Sequence, residues 1–130
     1  MTTVILIVDD SRAIRELIKM TLNGVAEIVG ECSDGADALA AYERLRPDWV
    51  LMDIGMKNVD GITATRQIIA AYPQAKIMIV TDYNDDDLRR AATDAGASGY
   101  VVKENLLDIV DVLAKAETPN QRGRKIIITK

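Results

Sequence analysis

The chain has 130 residues, enough for one domain with a sizeable core, and its 16 basic and 20 acidic residues give a net charge of -4. This acidic balance argues against a protein that mainly binds nucleic-acid phosphates, so no direct nucleic-acid binding is expected. The chain has no histidine and one cysteine, Cys32, which excludes an internal phosphohistidine and an internal disulfide and favours a reducing cytoplasm as its location.

Five short apolar runs along the chain predict β-strands. They comprise residues 4–8, 27–29, 49–52, 77–80 and 100–102. The runs 4–8 and 77–80 are apolar without alternation, which is typical of central strands covered by helices on both faces. No run approaches the ~20 residues of a membrane-spanning helix, so neither secretion nor membrane association is expected.

Segments with helical periodicity alternate with the predicted strands. Helices are predicted over about 36–45 and 62–71, and three more are indicated by apolar positions at helical spacing. These positions are Ile14, Leu17, Ile18 and Leu22, then Leu88, Ala91, Ala92 and Ala95, then Leu106, Ile109, Val110 and Leu113. Alternation of strand and helix indicates parallel βαβ units, so the predicted fold class is a doubly wound α/β domain with five strands and five helices.

Residues with known capping preferences mark the ends of several predicted helices. N-caps are predicted at Ser11, Asp34, Asn84 and Asn105, and C-terminal caps at Gly24 and Gly96. The strand and helix pattern ends at Glu117, which predicts a domain over 1–117 and a basic C-terminal tail over 118–130.

The tail carries a basic group ahead of a run of isoleucines. Its basic residues are Arg122, Arg124 and Lys125, and the run is Ile126, Ile127 and Ile128. We interpret it as a loosely ordered terminus, with a partner-docking segment and an added edge strand as the alternatives.

Chemistry in a sheet of this kind is expected at the carboxyl ends of the strands. The residues there are Asp9, Asp10, Asp53, Thr81 and Lys103. Each alone has an ordinary explanation, since acids favour helix N-termini and threonine favours strands. Together, three mutually repelling carboxylates favour a hard divalent cation, and Mg²⁺ suits oxygen ligands. With the cation present, a carboxylate can attack a phosphoryl group whose charge Thr81 and Lys103 stabilise.

The motifs at these positions resemble those of response-regulator receiver domains over about residues 4 to 117. They are Val8-Asp9-Asp10-Ser11, Leu51-Met52-Asp53, Asp60-Gly61, Val80-Thr81 and the run from Gly96 to Lys103. The resemblance implies a CheY-like, flavodoxin-like sheet of strand order 2-1-3-4-5. It also implies that Asp53 is the phosphoacceptor, with Lys103 and Thr81 as its catalytic partners.

The resemblance further implies a metal site and a switch. Asp10, Asp53 and the backbone carbonyl of Gly55 would be direct ligands of Mg²⁺, and Asp9 would act through water. Thr81 and Tyr100 would be the switch pair, with the hydroxyl moving toward the phosphoryl group and the ring turning inward behind it. The alternative for Tyr100 is a strand aromatic that only packs.

Three residues depart from the commonest receiver pattern. Lys57 and Glu104 stand where prolines are usual, and Asp82 follows the switch threonine where a small residue is usual. Glu104, together with residues 31–35, resembles the branch of receivers that often precedes helix-turn-helix output domains. Asp82 would crowd the entry of the phosphoryl group and add negative charge beside it.

The resemblance implies a response regulator of two-component signal transduction. Its phosphoryl donor would be a sensor histidine kinase or a histidine phosphotransfer protein, and phosphorylation would switch a face that binds a downstream protein target. Such a protein catalyses only its own phosphorylation and dephosphorylation, so it is not expected to be an enzyme. A stand-alone relay or adaptor is favoured over the front half of a DNA-binding regulator.

Three other functions compete with this one. The principal alternative is a pseudo-receiver that is never phosphorylated and acts as an interaction module. A flavin protein of the same topology is disfavoured because Asp9 and Asp10 occupy the place of its phosphate-binding loop. A haloacid-dehalogenase-like phosphatase is disfavoured because its second acid would fall at Gly55.

Overall fold

The computed structural model describes residues 2–117, which form a five-stranded parallel sheet in the order β2-β1-β3-β4-β5. The strands are β1 Thr3–Val8, β2 Ala26–Cys32, β3 Trp49–Met52, β4 Ile77–Thr81 and β5 Gly99–Val102. The helices are α1 Arg12–Thr21, α2 Ala38–Leu45, α3 Gly61–Ala71, α4 Asp86–Asp94 and α5 Asp108–Glu117. The predicted fold class and strand order are confirmed. The tail predicted over 118–130 lies outside the described residues.

Helices cover both faces of the sheet, and the sheet divides the core into two halves. Along β1, Leu6 and Val8 belong to the half that contains residues of α2, α3 and α4. Ile5 and Ile7 belong to the half that contains residues of α1 and α5. Each fully buried aliphatic side chain stabilises the fold by roughly 1.5–3 kcal/mol relative to exposure. Burial on both faces explains why β1 is apolar without alternation.

The strand register brings the carboxyl ends of the central strands level with one another. Val8 of β1 is paired with Met52 of β3, so the next residues along the two strands, Asp9 and Asp53, are neighbours. The N–H of Asp53 donates to the carbonyl of Val8 at 2.9 Å. Lys103 follows β5 at the same edge, with β4 between it and β3. The predicted strand-end residues therefore meet at one edge of the sheet.

Two predicted caps have the expected geometry. The side chain of Ser11 accepts a hydrogen bond from the N–H of Ile14 at 3.2 Å. Gly96 has a φ of 105° directly after α4, and its N–H donates to the carbonyl of Thr93 at 3.0 Å. The left-handed conformation favours glycine, so Gly96 ends α4 as predicted.

The predicted N-caps at Asn84 and Asn105 are wrong. Asp85 caps α4, because its carboxylate accepts from the N–H of Leu88 at 2.9 Å. Asn105 lies at the end of a short 3₁₀ turn, Lys103–Asn105, and α5 begins only at Asp108. The turn adds residues between β5 and α5, which moves the start of the helix beyond the predicted cap.

Three further boundaries differ from the sequence prediction. The edge strand β2 extends over seven residues where three were predicted, because its polar and glycine positions interrupt the apolar run. The second predicted helix begins as a 3₁₀ turn, Gly35–Asp37, that Asp34 caps. Gly24 has a φ of 82° but lies two residues beyond the C-cap Leu22.

Among residues 2–117, the helices are too short or too polar to cross a membrane.

Candidate functional site

Three acidic side chains meet where β1 and β3 end. Carboxylate oxygens of Asp9, Asp10 and Asp53 all lie within 4.8 Å of one another. Asp9 is 1% exposed and Asp53 is 6% exposed, whereas Asp10 is exposed to solvent. One oxygen of Asp9 accepts the N–H of Ser11 at 2.8 Å, which orients that carboxylate at the start of α1. Two buried acids and one exposed acid therefore form a site that is open on one side.

Lys103 supplies the positive charge next to the two buried acids. Its Nζ lies 3.0 Å from Oδ2 of Asp9 and 3.1 Å from Oδ1 of Asp53. The two carboxylates raise the pKa of Lys103 against the lowering effect of burial, so the ammonium stays charged. Buried charges need such pairing, because an uncompensated ion in the interior is costly.

Burial and charge repulsion make Asp53 reluctant to ionise. Burial raises its pKa most, and the negative charges of Asp9 and Asp10 raise it further, to about 6. Lys103 works in the opposite direction and lowers it. A cation held by the three acids would favour the ionised form of Asp53, because opposite charge nearby stabilises a carboxylate.

The residues at this site fit a bound Mg²⁺ ion. Oδ2 of Asp9 is buried and, within residues 2–117, has no hydrogen bond of good geometry although it is at ion-pair distance from Lys103. Such an oxygen retains a lone pair for a metal ion or for a water that the metal holds. Gly55 lies exposed in the loop after Asp53, with open space around its Cα. The donor set of carboxylates and a backbone carbonyl is the kind that Mg²⁺ prefers.

A chain of hydrogen bonds links Thr81 to Tyr100 through Tyr83. Thr81 is buried at the end of β4, and its Oγ1 accepts the N–H of Tyr83 at 3.3 Å. The hydroxyl of Tyr100 donates to the carbonyl of Tyr83 at 2.7 Å. The guanidinium of Arg89 lies 4.4 Å from the centre of the Tyr100 ring, which is a cation–π contact. The two predicted switch residues are therefore joined by one peptide segment of the β4–α4 loop.

Arg15 and Asp34 are two supporting residues that were not predicted to contribute to the site. Arg15 donates to the backbone carbonyl of Asp9 at 2.7 Å and to Glu31 at 2.8 Å, so it braces the loop that carries the acid pair. Asp34 accepts hydrogen bonds from the loop that follows Asp53. From the sequence, Asp34 was interpreted as a helix cap and as part of the segment 31–35 that resembles one branch of receivers. Arg15 carried no signal, because in the sequence it is one charge among several on a predicted helix.

The chain matches the family described as the response regulator receiver domain over residues 5–116. The match covers most of the chain, from within β1 to within α5. The chain therefore belongs to the response regulator receiver domain family.

Relatives of known class agree with this family. Transcriptional regulatory protein DegU of Brevibacillus brevis is 35% identical over 117 residues, which cover 85% of this chain and 50% of that protein. Response regulator protein VraR of Staphylococcus aureus is 37% identical over 118 residues, which cover 88% of this chain and 56% of that protein. The chain spans about half the length of these curated relatives.

A solved structure agrees as well. A two-component response regulator of the LuxR family from Aurantimonas sp. SI85-9A1 has a TM-score of 0.85 and 31% identity, over 89% of this chain and 85% of that one. Recognition of the chain as a receiver domain is confirmed, and its relatives include LuxR-family regulators, in line with the predicted branch.

Proposed function

We propose that the chain is the phosphoacceptor of a two-component system, in which Asp53 receives a phosphoryl group in a reaction that requires Mg²⁺. The observation that carries this proposal is the cluster of Asp9, Asp10 and Asp53, with carboxylate oxygens within 4.8 Å. The two buried members share the ammonium of Lys103. Membership of the receiver family supports the same conclusion.

The residues proposed to hold Mg²⁺ are Asp10, Asp53 and the backbone carbonyl of Gly55, with Asp9 acting through water. When bound, Mg²⁺ supplies the positive charge that offsets the acids and polarises the phosphoryl oxygens. Asp9 and Asp53 both contact Lys103. Asp53 is the proposed nucleophile because it follows β3, the middle strand of the sheet, and because the resemblance to receiver domains assigns the phosphoacceptor to this position.

The proposed transfer makes one bond and breaks one. An oxygen of Asp53 attacks the phosphorus as the P–N bond of the donor's phosphohistidine breaks, and the imidazole keeps the electron pair and takes a proton from solvent. The donor is another molecule, because this chain has no histidine. Lys103 and the hydroxyl of Thr81 stabilise charge on the phosphoryl oxygens. In hydrolysis, water attacks the phosphorus and the carboxylate of Asp53 is released.

The proposed output passes through the segment that joins Thr81 to Tyr100. If the Thr81 hydroxyl turns toward the phosphoryl group, its contact with the N–H of Tyr83 is lost. Because the carbonyl of Tyr83 accepts a hydrogen bond from the hydroxyl of Tyr100, this change would also reach Tyr100. The surface around α4 and β5 would then change for a downstream protein. Catalysis is limited to the protein's own phosphorylation and dephosphorylation, and the location is cytoplasmic in this proposal.

The phosphoryl donor and the output partner are proposed to be proteins. A sensor histidine kinase or a histidine phosphotransfer protein would supply the phosphoryl group. The proposal that no nucleic acid binds directly concerns residues 2–117 alone. It does not extend to the relative DegU, a transcriptional regulatory protein about twice as long as the matched region.

Intact-mass measurement tests the proposal. The full chain, incubated with acetyl phosphate and Mg²⁺, is expected to gain the mass of one phosphoryl group, and a chelator is expected to prevent the gain. Asp53→Asn is expected to gain no mass. Asp48→Asn, which changes an exposed acid before β3, is the charge-matched control and is expected to gain mass like the wild type. A wild-type chain that gains no mass from acetyl phosphate or from a phosphorylated phosphotransfer protein would instead support the interaction-module alternative.

A further inference from the structure

The carboxylate of Asp34 connects two loops at the carboxyl edge of the sheet. Asp34 follows β2 and is 8% exposed. Its Oδ1 accepts the N–H of Ala36 at 2.8 Å, which caps the 3₁₀ turn of its own loop. Oδ1 also accepts the N–H of Val59 at 3.1 Å, and Oδ2 accepts the N–H of Asn58 at 2.9 Å. The last two bonds reach the loop that follows Asp53.

Two glycines allow the backbones around this loop to approach closely. A Cβ on Gly35 would collide with the carbonyl oxygen of Val59, and a Cβ on Gly61 would collide with the carbonyl oxygen of Asp53. The N–H of Gly61 donates to the carbonyl of Ile54 at 2.9 Å, which closes the loop at its base. Residues 54–60 therefore lie between the β2–α2 turn and the start of α3, with backbone packed against backbone.

The exposed part of this loop is held by hydrogen bonds from its main chain to Asp34. Gly55 has no side chain, and those of Lys57 and Asn58 are exposed. Ile54, Met56 and Val59 pack against the core on either side of these residues. The N–H groups of Asn58 and Ala36 hold the pKa of Asp34 below its usual range, against the opposing effect of burial, so this carboxylate is ionised at neutral pH. Hydrogen bonds to an ionised acceptor are stronger than neutral ones.

We propose that Asp34 is a positioning residue for the metal site, and that its carboxylate fixes the loop 54–60 so that the carbonyl of Gly55 can bind Mg²⁺. The inference rests on the proposed function, since it takes that carbonyl as a ligand. Mg²⁺ demands near-octahedral geometry and short ligand distances, so a carbonyl that is free to move binds it less well. Without the Asp34 clamp, ordering of the loop would oppose each binding event.

A serine substitution separates the two roles of Asp34, which are to cap its own turn and to hold the loop after Asp53. Asp34→Ser keeps an oxygen for the N–H of Ala36, but its side chain is one bond shorter and has one oxygen, so it cannot hold both Asn58 and Val59. The control is Asp48→Ser, which makes the same charge change at an exposed acid whose carboxylate accepts the N–H of Val4 at 2.8 Å. Asp48 precedes β3 and so lies at the opposite edge of the sheet from the acids.

The measurement is the Kd of Mg²⁺ alone, obtained by titrating backbone amide chemical shifts of the full chain, together with the Tm without metal. Asp34→Ser is expected to bind Mg²⁺ about tenfold more weakly, which is the usual scale for residues that orient metal ligands. The Asp48→Ser control is expected to stay within about twofold of the wild type. A purely structural role would lower the Tm of Asp34→Ser and leave the Kd of the folded protein unchanged.

The Mg²⁺ titration has three results that would count against the role of Asp34. A folded Asp34→Ser protein that binds Mg²⁺ within about twofold of the wild type overturns it and leaves the proposed function standing. A wild-type chain without a saturable Mg²⁺ response overturns the proposed function and this inference together. If Asp34→Ser does not fold, Asp34→Asn keeps the shape of the side chain with one acceptor oxygen, and unchanged affinity in that variant also overturns the inference.

Discussion

The ammonium of Lys103 lies 3.1 Å from Oδ1 of Asp53, and both side chains are almost fully buried. Lys103 follows β5 and Asp53 follows β3, so the lysine side chain spans the end of β4 to make this contact. The same ammonium is at ion-pair distance from Asp9. Without a metal ion, Lys103 is therefore the counter-ion of the two buried acids.

Replacing Lys103 with methionine is expected to separate phosphorylation from metal binding. The variant loses the cation that stabilises the phosphoryl oxygens, so the rate of phosphorylation by acetyl phosphate should fall by about a hundredfold. Mg²⁺ affinity should stay equal or become tighter, because a competing positive charge is removed. Lys76→Met, an exposed lysine before β4, is the matched control. Equal losses of rate and of Mg²⁺ affinity in Lys103→Met would contradict the assigned role.

The raised pKa of Asp53 predicts a pH dependence of stability in the absence of metal. Its pKa is about 6 when folded against a reference of 3.8, chiefly because of burial and then repulsion from Asp9. The folded state binds the carboxyl proton of Asp53 more tightly than the unfolded state does. The protonated carboxyl therefore adds to the free energy of unfolding in full below pH 3.8, and this contribution is lost as the pH rises through about 6. At pH 7 the ionised carboxylate should cost roughly 1–2 kcal/mol after allowance for solvent screening.

Asp53→Asn removes this titration and is therefore expected to be more stable than the wild type at pH 7 in the presence of a chelator. The difference should shrink as the pH is lowered toward about 4, where the wild-type carboxyl is neutral. Saturating Mg²⁺ should also reduce it, by stabilising the wild type. Urea unfolding at several pH values measures the free energies. A difference that does not vary with pH would show that Asp53 has an ordinary pKa.

Thr81→Ala is expected to weaken communication between the phosphoryl group and Tyr100. The variant loses the hydroxyl that contacts the N–H of Tyr83, whose carbonyl accepts from Tyr100. In fluorotyrosine-labelled protein, the ¹⁹F NMR resonance of Tyr100 should shift when the wild type is phosphorylated. In Thr81→Ala, most of this chemical-shift change should be lost. Thr93→Ala, an exposed threonine of α4, should behave like the wild type. A full shift in Thr81→Ala would exclude the proposed path.

The lifetime of the aspartyl phosphate is expected to be long and to depend on Gly55 and Tyr83. Gly55 offers no side chain to orient a water, and Tyr83 is bulky and 56% exposed near the site. A Cβ at Gly55 would meet no atom within 4 Å, so asparagine fits there. Gly55→Asn combined with Tyr83→Ala should speed dephosphorylation about tenfold, or roughly 1.4 kcal/mol of barrier. Decay of the phosphorylated mass at the wild-type rate would exclude these positions as determinants.

Much of the fold follows from local patterns in the sequence. The continuous apolar runs of β1 and β4 reflect burial on both faces, and the acids directly after β1 and β3 follow from the rule for strand ends. The edge strand β2 was predicted too short, because Glu27, Gly30 and Glu31 interrupt its apolar run. Local periodicity detects a strand covered on both faces more completely than one at the edge of a sheet.

The remaining errors concern contacts between distant parts of the chain. Asn84 and Asp85 can both cap a helix, and the choice depends on how the β4–α4 loop leaves the sheet, which Tyr100 helps to set through the carbonyl of Tyr83. Asp34 carries a local signal for a cap, but its bonds to the loop after Asp53 join residues more than twenty positions apart. No local pattern contains that information.

The identity of the phosphorylated residue tests the central claim most directly. Borohydride reduces an aspartyl phosphate to homoserine, so treatment after phosphorylation marks the residue that carried the phosphoryl group. Peptide sequencing by tandem mass spectrometry is expected to find homoserine at Asp53 and unchanged aspartate at Asp9 and Asp10. Homoserine at Asp9 or Asp10, or a phosphorylated chain with unchanged Asp53, would contradict the account.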